Sequence, residues 1–536
     1  MGNVSYWLQT AEKQEHEKLE KDLETDVLII GGGISGVSCA YCLARKGVKP
    51  VLIEAGEIAG GTTGHSTGKV TVQHDVIYSN LINKYGMNMA AGYFASQAQA
   101  LRFVRDAVKR ERIDCQLNES TAWLFAMAEN EVDILKREYE AAKKLNIPCE
   151  WVEKPDFPQE TLAALGYHKQ AVFHPARYVL GLAKAAERDG AKMYGYTKAV
   201  RVENDEPITV TLENGAVIRA RHVVMATQYP IFDGPNVFFT RLYAQRDYGI
   251  AVIPQKDWPE GSYINLGEPA RSIRTHLEKE QKILIVVGET HATGREADKS
   301  DLHYENLEGF ARGIAGIKEI LARWSAQDYE TPDQIPYIGR LSDNSRLYVA
   351  AGYGKWGLSS GVLAGMMIAD LITKGNCEYE SIYSRKRADY VKSMGKAATE
   401  VLASVGELIK SKFEALQGLE GIEKGEGRTA RYDGKPAGVY RDHQDNVTIV
   451  EIACTHMSTV LNFNPAEKTW DCPAHGGRFS TDGKLLEGPP KNDLPVLFRG
   501  SYQEFVRGIE GESDGTMNVD REENSGGAAK GRRPFV

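Results

Sequence analysis

Thr25–Gly56 reads TDVLIIGGGISGVSCAYCLARKGVKPVLIEAG. The apolar run Val27–Ile30 has the unbroken hydrophobicity of a strand buried on both faces. Gly31, Gly33 and Gly36 follow as G-x-G-x-x-G, then an apolar stretch of helical length, then a second short strand that ends on Glu54. Each glycine has a physical reason. The first permits a tight turn, the second lets a pyrophosphate approach the backbone, and the third lets helix and strand pack closely. The helix that opens there turns its unpaired N–H groups toward the phosphates. Glu54 stands where a carboxylate accepts hydrogen bonds from ribose hydroxyls. Glycine spacing alone is weak. With both strands and the acid in place, it predicts a dinucleotide site at the front of the chain. It does not separate FAD from NAD.

The following residues, GEIAGGTTGHSTGKVTVQHD (56–75), narrow the choice. They resemble the segment that runs beside the flavin in the glycine/D-amino acid oxidase (DAO) superfamily of FAD enzymes. Two later pieces agree with that family in order. TKAVRVE followed by GAVIRARHVVMATQ resembles the strand that contacts adenine, here at Val200, and a strand returning to the FAD domain near Thr227. Residues 331–375 resemble the family's closing segment, where Gly352, Gly354 and Gly357 would let backbone approach the flavin ring. The next helix would point its N-terminus at the ring's electron-rich end. Thr63 and His65 are further cofactor-side candidates. His65 matches the histidine that carries covalent FAD in dimethylglycine dehydrogenase relatives; the plainer reading is a histidine hydrogen-bonded near the flavin.

The resemblance implies an α/β FAD-binding domain, Rossmann-like and of glutathione-reductase type, with an inserted α+β substrate domain. The expected limits are an N-terminal arm (1–25) and an oxidoreductase body (26–380). FAD-binding segments lie at about 26–85, 195–240 and 325–378, and the substrate domain at about 86–194 and 241–324. The two insertions should build an antiparallel sheet. Where some sarcosine oxidases place a lysine that binds substrate carboxylate, this chain has Ser359; Arg274 is the replacement candidate. Cys39 and Cys42 form a C-x-x-C, but two small residues on a buried helix are core packing before they are a redox pair.

The second deciding stretch is CTHMSTVLNFNPAEKTWDCPAHGG, Cys454–Gly477. Two Cys and two His suit tetrahedral zinc. The flanks point elsewhere: Pro473 lies inside the second loop, two glycines follow His475, and LLEGPP lies downstream. This pattern resembles a Rieske domain over about 420–508, which is small and all-β. The resemblance makes Cys454 and Cys472 the thiolate ligands of one iron in a [2Fe–2S] cluster, and His456 and His475 the imidazole ligands of the other. Gly488, Pro489 and Pro490 would cover it. High-potential relatives carry an extra cysteine pair and two hydroxyl donors; here those places hold Thr459, Ala474, Gly477 and Phe479. The loss of those donors implies a potential at the low end, on the order of −150 to 0 mV. The histidine edge is expected near the surface. A connecting helix is expected over 381–418, with an apolar stripe from Val401 to Phe413, and a disordered tail over 510–536.

The chain has 536 residues and a formal net charge of −8, which gives no footprint for nucleic acid. No apolar run approaches the ~20 residues that span a bilayer. The polar N-terminus is no signal peptide, and Tyr6 argues against myristoylation. Seven cysteines, two of them metal ligands, fit a reducing, cytoplasmic setting. A carrier of electron pairs and a carrier of single electrons in one chain imply an FAD oxidoreductase, a dehydrogenase more than an oxidase. It would oxidise the C–N bond of a small amine or amino acid and pass electrons through the cluster to an external acceptor. The alternatives are an electron-transfer module supplying a partner oxygenase, with an electron donor protein or NAD(P)H behind it, and a redox sensor. No second Gly-rich fingerprint for NAD(P)H is present.

Overall fold

The computed structural model describes residues 4–157, 160–232, 238, 241–295, 300–385, 414–415, 419 and 421–513. Leu23–Ile30 is the central strand of the first sheet. It pairs in parallel with Val51–Ile53 on one side and Val217–Gln228 on the other. Lys192–Tyr194 extends one edge, and Leu347–Ala351 and Tyr337–Arg340 the other. Two parallel neighbours and a covering helix explain why Val27–Ile30 are all buried. The helix Ile34–Ala44 packs along the helix Gly357–Lys374, where glycine is a steric requirement. A Cβ at Gly365 would lie 2.6 Å from both Cys39 N and Ser38 Cβ. Cys39 and Cys42 sit in this core as free thiols, and burial pushes Cys42 up to about 12. The packing reading therefore accounts for both.

The second sheet has nine strands drawn from both insertions. Its long strands are Tyr243–Pro254, Gln281–Ala292 and Ile317–Glu330, paired antiparallel. The expected antiparallel sheet holds with one exception: Ser262–Asn265 runs parallel to Asn118–Ala126, exactly where the two insertions join edge to edge. Lys69–Val70 and Ile317–Glu330 belong to this sheet, and Lys192–Tyr194 to the first. The helix Pro175–Arg188 starts at His174, whose Nδ1 accepts Arg177 N–H at 3.3 Å, so that histidine caps a helix.

The C-terminal part is all-β. Its five-stranded sheet runs 414–415, Gly427–Tyr432, Lys435–Arg441, Asn446–Glu451, Val496–Ser501. A four-stranded sheet, Asn462–Asn464, Thr469–Asp471, Arg478–Ser480 and Leu485–Glu487, has its own core around Leu461, Trp470 and Phe479. Phe479 is therefore a core residue facing Trp470 across the strands. At the ends of the expected connecting helix, Glu380–Tyr383 is helical, Ser384 is extended and Glu414–Ala415 is a strand; residues 386–413 lie outside the described residues. The helix Tyr502–Ser513 runs past the expected start of the tail, and 514–536 lie outside the described residues. Among the described residues no helix is long and apolar enough to cross a membrane.

Candidate functional site

A cavity of about 960 Å³ opens where the carboxyl end of the first sheet meets the second. Gly31, Gly33, Ile34 and Ser35 form one wall, as the fingerprint requires. Gly33 contributes open space: an added Cβ would meet only Thr63 Oγ1, at 3.2 Å. Gly36 does not line the cavity. Its missing Cβ would collide with Gly31 O, so it serves helix–strand packing. Glu54 lines the cavity, and its carboxylate accepts Gly32 N–H at 2.6 Å and Gly56 N–H at 2.9 Å. Burial raises its pKa, while those N–H groups pull it back. Thr63 Oγ1 accepts Ile34 N–H, the first of the helix Ile34–Ala44, at 3.0 Å. Thr227 and His65 are also in the lining. The His65 ring Nδ1 is 2.9 Å from Gly61 O.

Other expected positions fall elsewhere. The lining near the adenine-side strand is Thr197, Lys198 and Ala199, and Val200 is not part of it. Gly357 lines the cavity and begins its helix, but Gly352 and Gly354 do not line it. Gly352 has φ +78°, and a Cβ there would press on Thr331 and Leu242. Arg274, the expected substrate-ligand candidate, has its guanidinium engaged within the fold. Its Nη1 donates to the carbonyls of Thr67, Gly68 and Phe173 at 2.8–3.0 Å, its guanidinium stacks on Trp7, and it is absent from the lining. Ser359 is buried, 3.0 Å from His74 Nε2.

The second sheet, with Lys355 from the turn before the helix Gly357–Lys374, supplies groups that the motifs did not reveal. Lys69, Asp247, Arg271, Ser272, Asp328 and Lys355 all line the cavity. Lys69 Nζ donates to Ser272 Oγ at 2.7 Å and lies 5.7 Å from the Trp356 ring. Burial, then the Arg274 charge, brings its amine down to about 7. Arg271 pairs with Glu289, and Lys355 with Asp247 at 3.3 Å. Burial lifts Asp328 to about 6, although its carboxylate accepts Lys355 and Tyr329 N–H. Only alternation of polar residues within apolar strands hinted at these positions.

Cys454, His456, Cys472 and His475 come together at two adjacent loop tips. The thiols of Cys454 and Cys472 hydrogen-bond each other, and the two imidazole centroids are 5.1 Å apart, edge to face. Among the described residues no three His, Cys, Asp or Glu side chains converge on one ion position. Two thiols beside two imidazoles that do not converge on one ion position fit a two-iron cluster, with one pair on each iron. Cys454, then the backbone N–H groups of His475, Ala474 and Gly477, hold Cys472 below its usual value against the push of burial. Burial, then His456, lowers His475 to about 4, leaving its imidazole neutral at pH 7 as a ligand must be. Gly477 is constrained sterically: a Cβ would lie 2.6 Å from Pro490 Cγ and 3.4 Å from Cys454 Sγ. Gly477→Ser is therefore expected to displace the Pro490 cover rather than add a donor. It should cost about 1–3 kcal/mol by overpacking, read as a lower Tm and reduced iron content.

The histidine edge, His456 and His475, is part-buried. It is seated on the flavin body. Tyr329 OH donates to His475 O at 3.2 Å and Gln327 Nε2 to Gly476 O at 2.9 Å, while the Tyr229 ring stands edge-on to His456 at 6.4 Å. Gly294 lies so flush that an added Cβ would be 2.7 Å from Pro473 N. Asn462 Nδ2 donates to Gly294 O at 2.6 Å, and Tyr304 OH to Glu467 at 2.8 Å. Leu485–Lys491 of the cluster domain also line the large cavity.

Residues 26–371 match the family "DAO: FAD dependent oxidoreductase", and residues 415–498 the "Rieske [2Fe-2S] domain". A Bacillus subtilis (strain 168) protein named "Putative Rieske 2Fe-2S iron-sulfur protein YhfW" is 34% identical over 495 residues, 92% of this chain and 97% of its own. The gamma-glutamylputrescine oxidoreductase of Escherichia coli (strain K12) is 24% identical over 70% of this chain and 89% of its own. The crystal structure of glycine oxidase from Geobacillus kaustophilus aligns with a TM-score of 0.58 at 21% identity, over 68% of this chain and 100% of that one, a likeness of fold. The chain belongs to the DAO family of FAD-dependent oxidoreductases, and it carries a C-terminal Rieske domain that binds a [2Fe–2S] cluster.

Proposed function

We propose that this enzyme is a dehydrogenase that oxidises the C–N bond of a small amine or amino acid and delivers the electrons, through its cluster, to an external one-electron acceptor. The observation that carries this reading is the seating of the histidine-bearing loop on the wall of the flavin cavity, through Gln327 and Tyr329. Two redox groups so joined favour a through-chain route over discharge to oxygen at the flavin. The names of the gamma-glutamylputrescine and glycine enzymes support an amine or amino acid as substrate.

In this reading Gly31, Gly33 and Glu54 hold the dinucleotide end of FAD, with Thr63, His65 and Thr227 along its length. Gly357 opens a helix toward the ring. Cys454, Cys472, His456 and His475 hold the cluster. FAD supplies a two-electron acceptor for the substrate's hydride, and [2Fe–2S] a one-electron relay. Lys69 takes the substrate-facing role first expected of Arg274. Its ammonium donates to a serine hydroxyl rather than to a carboxylate, which leaves its charge available to an acidic substrate group. With a pKa near 7, it could also accept a proton from the substrate amine. Trp356, stacked on His74 at 4.8 Å, gives the cavity a rigid apolar side.

The test is an anaerobic screen of amines and amino acids for bleaching of the bound flavin. An amine or amino acid should bleach it, followed by the cluster, whereas NADH should not. Rapid bleaching by NADH with none by any amine would replace this reading by that of an electron-transfer module.

A further inference from the structure

We propose that the cluster takes its electrons from within the same chain, across a fixed contact for which Gln327 is the positioning residue. This rests on the reading that flavin and cluster work in series; it does not depend on what the substrate is.

Gln327 belongs to the flavin cavity and to the cluster loop at once. It is fully buried and lines the cavity. Its backbone carbonyl accepts Thr62 Oγ1 at 3.2 Å and the Gln228 side-chain amide, and both donors are themselves cavity residues. Its side-chain Nε2 donates to Gly476 O, one peptide beyond the ligand His475, at 2.9 Å, and to Tyr329 OH at 3.3 Å. Tyr329 OH in turn donates to His475 O. A cavity wall, one residue and a ligand loop are therefore joined by covalent and hydrogen bonds, without a solvent gap.

The fit is built into the loop. Gly476 has φ +70°, a conformation that favours glycine. A Cβ there would strike Ala244 and lie 2.9 Å from Gln327 Oε1. Any larger residue would lift the histidine loop off the flavin body. The buried Arg246 holds the same seam from beneath, 3.6 Å from Glu487, and Glu487 is 3.0 Å from Arg478. Arg478 is 3.3 Å from Asp471, at the root of the second ligand loop. Ion pairs buried this way fix register more than they add stability. These contacts favour a docked cluster domain over a tethered carrier that swings between partners.

Electron tunnelling weakens steeply with distance and runs better through bonds than through space, so an intact contact matters to rate. The electron count sets how it is used. A reduced flavin holds two electrons and the cluster accepts one. Each turnover therefore needs two successive one-electron transfers across the contact. An external one-electron acceptor would empty the cluster after each, and the substrate's protons would leave to solvent.

The test uses the full-length holoprotein without oxygen and without any amine. Flash-generated deazaflavin radicals reduce the flavin, and cluster reduction is followed by visible absorbance. Wild-type protein should show a cluster-bleaching phase matched by flavin reoxidation and independent of protein concentration. Gln327→Ala should slow that phase by about an order of magnitude, leave both midpoint potentials unchanged and speed hydrogen exchange in the Cys472–Gly477 loop. Tyr329→Phe, which removes only the hydroxyl on His475 O, should slow it by a smaller factor. An unchanged rate in Gln327→Ala overturns the proposal, as does a slowing that a shifted potential explains. A wild-type rate proportional to protein concentration overturns it too, by showing transfer between molecules. Because no amine enters the experiment, failure of the amine screen leaves this result standing, and failure here leaves amine oxidation standing.

Discussion

Cys472→Ala is expected to remove the iron–sulfur cluster outright while leaving the flavin in place. Cys472 is buried at the tip of a hairpin, and the N–H groups of Ala474, His475 and Gly477 all point at its sulfur. Those donors are arranged for a negative thiolate. Alanine removes the ligand and leaves the buried N–H groups without an acceptor, at about 1–3 kcal/mol for each group left unsatisfied. The small core around Leu461, Trp470 and Phe479 contains Cys454 and Cys472 themselves, so the cluster and that core stand or fall together. The flavin sheet has separate cores and should be untouched. The measurement is iron and acid-labile sulfide per chain, with EPR of the reduced protein. Wild type should give a Rieske-type signal, and Cys472→Ala should give none while keeping its FAD. His456→Cys should retain a cluster with an altered spectrum, because thiolate can replace imidazole on iron. Zinc without sulfide in the wild type would sink the assignment.

Gly33→Val and Gly36→Val should fail in opposite ways, although they lie three residues apart. Gly33 has φ −77°, ordinary for any residue, and the space beyond it is the cavity. Valine there should fold normally and occupy the volume where a pyrophosphate approaches the backbone. The protein should be soluble, colourless at the flavin bands and still brown from its cluster. At Gly36 any Cβ runs into Gly31 O, and Ile29 Cγ2 is 3.2 Å away. That change forces helix from strand at the centre of the first sheet, so it should cost more than the usual 1–3 kcal/mol of overpacking. Loss of soluble protein is the expected readout. FAD-to-protein ratio and thermal unfolding separate the two outcomes. A Gly33→Val protein with full FAD would show that the cavity's dinucleotide end lies elsewhere.

Local, contiguous sequence determined a good deal here. Gly31, Gly33, Gly36 and Glu54 act through the backbone of one strand–helix–strand unit, so their spacing carries the geometry with it. The same holds for Cys454–His456 and Cys472–His475, each pair set by a single tight loop. A dinucleotide site could be read from such a stretch, while fold class, FAD and the cluster followed from the family resemblance that these and later stretches carry. Tertiary structure alone decided what long side chains meet. Arg274 looked like a free cation in its strand, but three carbonyls from two distant segments, Thr67–Gly68 and Phe173, take its guanidinium. Lys69 was an ordinary lysine in sequence until the nine-stranded sheet closed over it and desolvation lowered its pKa. Gln327 carried no signal at all, because its contacts with Thr62, Gln228 and Gly476 lie 265, 99 and 149 residues away along the chain. The docking of the histidine edge on the flavin body was equally invisible. It depends on complementary surfaces, such as Gly476 against Ala244, that lie more than 200 residues apart in the chain. Spacing along a chain records what a backbone must do locally; which charges are desolvated and which loops touch is settled by packing between parts that the sequence keeps far apart.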